Sequence, residues 1–177
     1  MISVKMTIND KVVGPFQVDE SLKMIDFLHE YAHLTGTKFG CGVGVCHACV
    51  IIVDEPDGTS HTERTCINGV GKFNGKKLRT VEGHAKHNAQ GQITSLSPVQ
   101  QTFIEHFSFQ CGWCTSGFVN ESTVLVEKLA KNPIHKDEVE QVIEENLKEH
   151  ICRCSGYRKY YVGLRDLVLS QNGLTKE

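Results

Sequence analysis

Eight cysteines in two groups of four constrain this chain more than any other feature: Cys41, Cys46, Cys49 and Cys66, then Cys111, Cys114, Cys152 and Cys154. Four thiols that must meet at one centre fix where the segments carrying them can lie. The opening residues, MISVKMTIND, lack the basic start and apolar stretch of an export signal. Disulfides seldom persist in reducing compartments, so metal or redox chemistry is the first reading of the thiols and a disulfide framework the second. The expected location is the cytoplasm, with export alongside a signal-bearing partner left open. A net charge of −2 argues against nucleic acid or a membrane surface as partner. No apolar run approaches the roughly 20 residues of a membrane span, so no direct membrane insertion is expected.

The first group reads C-x4-C-x2-C, from Cys41 to Cys49, with Cys66 following after sixteen intervening residues. This is the plant-type spacing for a [2Fe–2S] cluster. A short loop must wrap a compact cluster, and Gly40, Gly42 and Gly44 permit backbone conformations closed to other residues. They also let peptide N–H groups approach the cluster sulfides. Zinc sites favour paired C-x2-C knuckles; here only Cys46 and Cys49 have that spacing. His47 reads as a loop residue near the surface, since four cysteines already complete a ligand set.

Along the chain, patterning changes from strand to helix. Ile2, Val4, Met6 and Ile8 alternate with polar residues, which predicts a half-buried strand returning over Val12–Val18. A helix is expected over Ser21–His33, with Asp19 and Ser21 as caps and Leu22, Ile25, Leu28 and Ala32 inward. Val50–Val53 predicts a buried strand, Glu55–Gly58 a turn, Thr59–Thr65 a return strand and Lys77–Val81 a last strand. A polar linker, Gly83–Gln92, precedes four predicted helices: 97–107 with a Ser97/Gln100 capping box, 116–131, 136–149 and 159–170. Val139, Val142, Ile143 and Leu147 face inward on the third, and Tyr160, Leu164, Leu167 and Val168 on the fourth. Four short helices imply a compact bundle.

The second cysteine group joins C-x2-C at Cys111 and Cys114 to C-x-C at Cys152 and Cys154. Both pairs sit at ends of predicted helices and can converge. Spacing alone leaves zinc and an iron–sulfur cluster as equal rivals here.

Three motifs then carry a resemblance: Leu34-Thr35-Gly36-Thr37-Lys38-Phe39-Gly40-Cys41-Gly42-Val43-Gly44-Val45-Cys46, Gln110-Cys111-Gly112-Trp113-Cys114-Thr115, and Cys152-Arg153-Cys154-Ser155-Gly156-Tyr157. The chain resembles the small iron–sulfur subunit of the molybdenum hydroxylases, the xanthine oxidase and aldehyde oxidoreductase family, over nearly its whole length. The resemblance implies an α+β fold, with a β-grasp plant-type ferredoxin domain (1–83) followed by a four-helix bundle (84–177). Each would hold one [2Fe–2S] cluster: Cys41, Cys46, Cys49 and Cys66 the first, Cys111, Cys114, Cys152 and Cys154 the second. Gln110 matches a glutamine that hydrogen-bonds molybdopterin, expected in its cytosine dinucleotide form and held by a large catalytic partner subunit.

Departures from the family pattern are His47-Ala48 where glycine usually follows the second cysteine, Ser116 in place of a proline, and Glu149-His150-Ile151 in place of Gly-Asn-Leu. The stretch from Cys49 to Cys66 is several residues longer, in the Asp54–His61 hairpin. That hairpin reads as a contact for an electron acceptor or as a surface loop without partner.

The resemblance implies an oxidoreductase complex in which this chain relays electrons from molybdenum to an FAD-binding subunit or a cytochrome c subunit. The chain itself offers no acid, base or nucleophile for substrate chemistry. Aldehydes are the expected substrates, with xanthine or N-heterocycles as the alternative. An independent two-cluster carrier is the rival of another class; a DNA-binding sensor would need a basic recognition helix, and the sequence has none.

Overall fold

A computed structural model describes all 177 residues. Period-2 alternation forms β1 (Ile2–Ile8), which buries Val4, Met6 and Ile8. Asn9 and Asp10, both at positive φ (51° and 61°), turn the chain into antiparallel β2 (Lys11–Val18). Asn and Asp tolerate this left-handed geometry because their short polar side chains bond locally. β3 (Val50–Asp54), β4 (Ser60–Arg64) and β5 (Lys77–Arg79) complete one sheet in the order β2-β1-β5-β3-β4, with β1 and β5 parallel. Val50 to Val53 are all buried. Ile51 and Val53 enter the sheet's core with Val4, Ile8, Phe27 and Leu78.

The first helix is shorter than predicted. α1 spans Met24–Glu30, and its buried face is Met24, Ile25, Phe27 and Leu28. Leu22 is outside it because the Leu22–Met24 backbone bonds elsewhere: Val70 N donates to Leu22 O and Met24 N to Asn68 O. Asp19 does not cap it either. Its carboxylate accepts from Ser21 N (2.8 Å) and Ser21 Oγ (2.6 Å), closing a local turn. The predicted linker is entered through a 3-10 turn at Val81–His84, and a small exposed hairpin of β6 (Lys86–His87) and β7 (Ile93–Ser95) begins inside it and ends beyond it.

Beyond it come α2 (Pro98–Glu105), α3 (Thr115–Lys131), β8 (Ile134–His135), α4 (Val139–Leu147), α5 (Arg158–Ser170) and β9 (Thr175–Lys176). The Ser97 cap is reciprocal: Gln100 N donates to Ser97 Oγ (3.3 Å) and Ser97 N to Gln100 Oε1 (3.0 Å). α4 is preceded by a 3-10 turn at Lys136–Glu138 and stops at Leu147, short of the predicted 136–149 helix. Val139, Ile143, Leu147, Tyr160, Leu164 and Val168 are buried as their spacing requires, and Val142 and Leu167 pack half-buried against them. Phe118 stacks on Tyr160 with ring centroids 3.9 Å apart. No helix is long and apolar enough to cross a membrane.

The two halves meet along α3, which packs against β3 and β4. Asn120 Nδ2 donates to Val50 O (2.8 Å) and Ser116 Oγ to Ala48 O (3.1 Å). A Cβ on Gly117 would lie 2.1 Å from His47 O, so glycine is what lets the helix lie this close to the loop. The long Asp54–His61 hairpin is neither an idle loop nor free. Lys131 reaches Gly58 O, Ser60 Oγ donates to Glu127 (2.6 Å), and Arg79 bridges Asp54 (2.7 Å) and Glu127 (2.6 Å). Burial alone would lower the Arg79 pKa, but these two carboxylates raise it and hold the guanidinium charged.

Two candidate cluster sites at the junction

The Cys41–Cys49 loop folds back on itself through Gly42, Gly44 and His47, all at positive φ (70°, 74° and 56°). Its amides point at sulfur. Val45 N lies 3.3 Å from Cys41 Sγ. Burial works against ionising Cys41, but N–H groups of Val43, Cys46 and Val45 outweigh it and bring its pKa down to about 6. Cys41 pairs with Cys46, and Cys49 with Cys66, whose pKa burial pushes up to about 11. A Cβ on Gly40 would stand 2.8 Å from Cys46 Sγ, so the bare backbone there leaves the sulfur its space.

The second group draws on the ends of all four helices. Cys111 follows α2, Cys114 abuts the start of α3, and Cys152 and Cys154 lie between α4 and α5. Cys111 and Cys154 are exposed, with their sulfurs 3.5 Å apart. Cys114 and Cys152 are buried and paired. Burial pushes Cys114 up to about 12. At Cys152 burial is outweighed by the Ser155 hydroxyl and by backbone N–H groups of Ser155 and Tyr157, which lower it to about 6. Tyr160 OH is 3.8 Å from Cys114 Sγ and 2.6 Å from Thr115 Oγ1.

All eight are free thiols; in the first set Cys41 meets Cys46 and Cys49 meets Cys66, and in the second Cys114 meets Cys152 while Cys154 meets both Cys111 and Cys152. In neither do three sulfurs lie within 4.8 Å of one another. A single tetrahedral zinc with bonds of about 2.3 Å would need all four sulfurs about 3.8 Å apart. Sulfurs spread wider than that suit a two-iron cluster, and inward-facing amides suit thiolates. An apolar cleft of about 290 Å³ runs between the groups, lined by Gly40, Cys46, Cys111, Cys114, Cys152 and Cys154 among others.

Comparison with known proteins agrees with this geometry. Residues 7–69 match the family described as the 2Fe-2S iron-sulfur cluster binding domain, and residues 80–165 the [2Fe-2S] binding domain. The chain is 36% identical over 141 residues to the nicotine 6-hydroxylase small subunit of Paenarthrobacter nicotinovorans, covering 80% of this chain and 74% of that one. It is 30% identical to the aldehyde oxidoreductase iron-sulfur-binding subunit PaoA of Escherichia coli K12, covering 85% and 65%. The quinoline 2-oxidoreductase structure from Pseudomonas putida 86 superposes with a TM-score of 0.76 at 32% identity, covering 93% of this chain and 91% of that one. The chain belongs to the small iron–sulfur subunits of the molybdenum hydroxylases. In rat aldehyde oxidase 2 the similar region spans 12% of that protein, so the same unit also occurs within a much longer chain.

This oxidoreductase subunit thus has two [2Fe–2S] binding regions, and they face each other. Ile151 N, next to Cys152, donates to Cys46 O (3.3 Å), and Trp113 Nε1, next to Cys114, donates to Phe39 O (3.0 Å). Gln110 is exposed next to Cys111, whose sulfur lies 3.5 Å from that of Cys154; Ile104, Phe107, Phe109 and Ile151 are exposed as well.

His47 is not near the surface; it is 6% exposed. Its ring is enclosed because partners meet it on both sides: Nδ1 bonds Glu121 Oε1 (2.9 Å), and Arg64 donates to Nε2 (2.7 Å). His150 reaches the same Glu121 from the other half. The sequence gives Glu121 no role, and marks His150 only as a departure from the family pattern and Tyr160 only as a buried helix position. The available signal was that His47 and His150 both fall where the chain departs from the family pattern.

Proposed function

We propose that this chain is the electron-transfer subunit of a heteromeric molybdenum hydroxylase, passing electrons from a molybdopterin-binding partner to a flavin subunit or a cytochrome. The observation that carries the reading is the facing of two four-thiol sites across one apolar cleft, one of which opens its sulfurs to the surface. Cys41, Cys46, Cys49 and Cys66 would hold one [2Fe–2S] cluster, and Cys111, Cys114, Cys152 and Cys154 the other. When bound, each cluster supplies a one-electron acceptor and donor. The protein's part is to hold the thiolates, aim N–H groups at them, and exclude water between the sites through Ala48, Trp113 and Ile151.

We read the first half as a β-grasp domain ending near residue 83 and α2–α5 as a four-helix bundle. To Gln110, exposed next to Cys111, we assign a hydrogen bond to molybdopterin, in the cytosine dinucleotide form, on the large subunit; the family resemblance of the Gln110–Thr115 motif supports this. The exposed apolar residues Ile104, Phe107, Phe109 and Ile151 supply the docking surface.

Two substrate classes are in play. Aldehydes follow from the general resemblance. N-heterocycles are favoured by the nicotine 6-hydroxylase small subunit, at 36% identity against 30% for the E. coli aldehyde oxidoreductase subunit. Purifying the native complex tests both levels. About four irons with matching sulfide per chain and two EPR signals on reduction are expected, together with a larger molybdenum-containing subunit. Assay of aldehydes and N-heterocycles with an artificial acceptor then separates the substrate classes. A colourless zinc protein, or a brown protein that purifies alone, sinks the reading.

A further inference from the structure

His47, Glu121 and His150 form the one group of three potential ligand side chains whose ligand atoms all lie within 4.8 Å of one another. The fold, not the sequence, brings them together. His47 stands in the Cys41–Cys49 loop, Glu121 in α3, and His150 in the segment between α4 and α5. None of the three belongs to either thiol set.

The group is closed from water: side-chain exposure is 7% for His47, 11% for Glu121 and 0% for His150. Buried polar atoms are nearly always hydrogen-bonded, because leaving one without a partner forfeits its hydration. His150 departs from that rule at both ring nitrogens. Neither makes a directed hydrogen bond, and nor does Glu121 Oε2, although Oε2 and Nε2 are in contact. The remaining neighbours of the ring are aromatic: it stacks on Phe118 (4.1 Å) and meets His47 edge to face (5.2 Å). A shared cation would give Nε2 and Oε2 the partner that the protein does not.

Two imidazoles and one carboxylate are a zinc donor set that leaves a fourth place for water. Ligands about 2.1 Å from a tetrahedral zinc stand about 3.4 Å apart. His47 Nδ1 and Glu121 Oε1 are 2.9 Å apart, and the group as a whole stays within 4.8 Å, so small side-chain rotations seat one ion. A ligating histidine needs an acceptor for its other ring nitrogen. Glu149 Oε2 lies 3.0 Å from His47 Nε2, placed to accept the ring proton while Nδ1 binds, and Arg64 braces that carboxylate (2.9 Å). A cavity of about 320 Å³, lined by Thr62, Glu63, Asn68 and Glu121 among others, opens on the group. It provides an entry path for a cation and room for a water as fourth ligand.

We propose that His47, Glu121 and His150 bind one zinc ion, which fastens the Cys41–Cys49 loop of the first half to α3 and to the Cys152 segment of the second. The site is separate from both thiol sets, so it goes beyond the two-cluster reading and does not depend on it. It also explains why His47 and His150, far apart in sequence and both departures from the family pattern, meet at one carboxylate.

The test uses the intact complex. Purified from zinc-supplemented culture, it should hold about one zinc per chain besides about four irons. X-ray absorption at the zinc edge should show nitrogen and oxygen ligands at about 2.0 Å and no sulfur at about 2.3 Å. Losing even an outer partner costs a metal site about tenfold in affinity. Losing a ligand, in Glu121→Gln or His150→Gln, should cut the zinc content at least that far with iron unchanged. Glu127→Gln, on the same helix but outside the group, should keep its zinc. Zinc added to complex from zinc-poor culture should raise the melting temperature of wild type and not of Glu121→Gln. An iron-replete complex without zinc overturns the proposal, as does zinc retained by either variant. Sulfur-bound zinc overturns it too; found at the expense of iron, it also sinks the two-cluster reading, so the two failures are told apart. Should the variants fail to assemble, the zinc content and absorption edge of wild type decide alone.

Discussion

The two cysteine sites reach similar sulfur arrangements by opposite means. The first is almost one loop: three thiols lie within nine residues, and glycines at positive φ bend the backbone around them. Two of its three buried cysteines, Cys49 and Cys66, cluster with Ile25 alone and stand apart from the sheet's core. The second has no loop of its own. It exists where four helix ends converge, and Cys114 and Cys152 are themselves among the fifteen buried residues of the helical core. A site made by a loop can be lost without its scaffold. A site made by a core cannot.

That contrast can be broken most directly at the thiols. Cys49→Ser and Cys114→Ser should each reduce the iron content from about four to about two per chain. Cys114→Ser should lower the melting temperature clearly more, because it disturbs the packing of the helices. Equal losses of stability would end the comparison. Next comes the aromatic stack beneath the second site. Phe118 lies between Tyr160 (3.9 Å) and His150 (4.1 Å) and is fully buried. Phe118→Ala should cost about 3–5 kcal/mol in denaturant unfolding and weaken the second EPR signal before the first. The smallest effect is at the joint between them. Glu121 is depressed from 4.5 to about 2. A lowered carboxylate pKa stabilises above the unfolded value, and the stabilisation is lost as pH falls from about 4.5 towards 2. The full span is worth roughly 3 kcal/mol at most. Melting temperature followed through that range should fall less steeply in Glu121→Gln than in wild type.

Legibility in the sequence followed the same division. Local rules were enough for β1, for Val50–Val53, for the Ser97/Gln100 cap and for the first cysteine loop, because each is decided by neighbours within a few residues. The inward faces of α4 and α5 were likewise readable from their spacing. The start of α1 was not: Leu22 fits a helical stripe, yet its carbonyl is taken by Val70, forty-eight residues on. His47 was misjudged for the same reason. A histidine in a glycine-rich loop looks exposed until Glu121 and Arg64, neither nearby in sequence, close over it. The pinning of the Asp54–His61 hairpin depends on Lys131, Glu127 and Arg79, which no local pattern connects to it. The second cysteine site lay between these cases. Its spacing was ambiguous, and the flanking Gln110, Thr115 and Gly156-Tyr157 had to supply what convergence of helices supplies in space.

One consequence follows from where the halves touch. The peptide that links them runs through the β6–β7 hairpin, which is exposed to solvent. The contacts that hold them lie elsewhere, along α3 from Ser116 to Lys131 and at Trp113 and Ile151 beside the cysteines. The contacts between the halves are therefore made by residues other than those of the linking peptide, which contributes chiefly by keeping the halves at high effective concentration. A protease that cuts between residues 87 and 93 should leave a nicked protein that travels as one species through gel filtration, keeps its colour, and separates into two fragments only in denaturant.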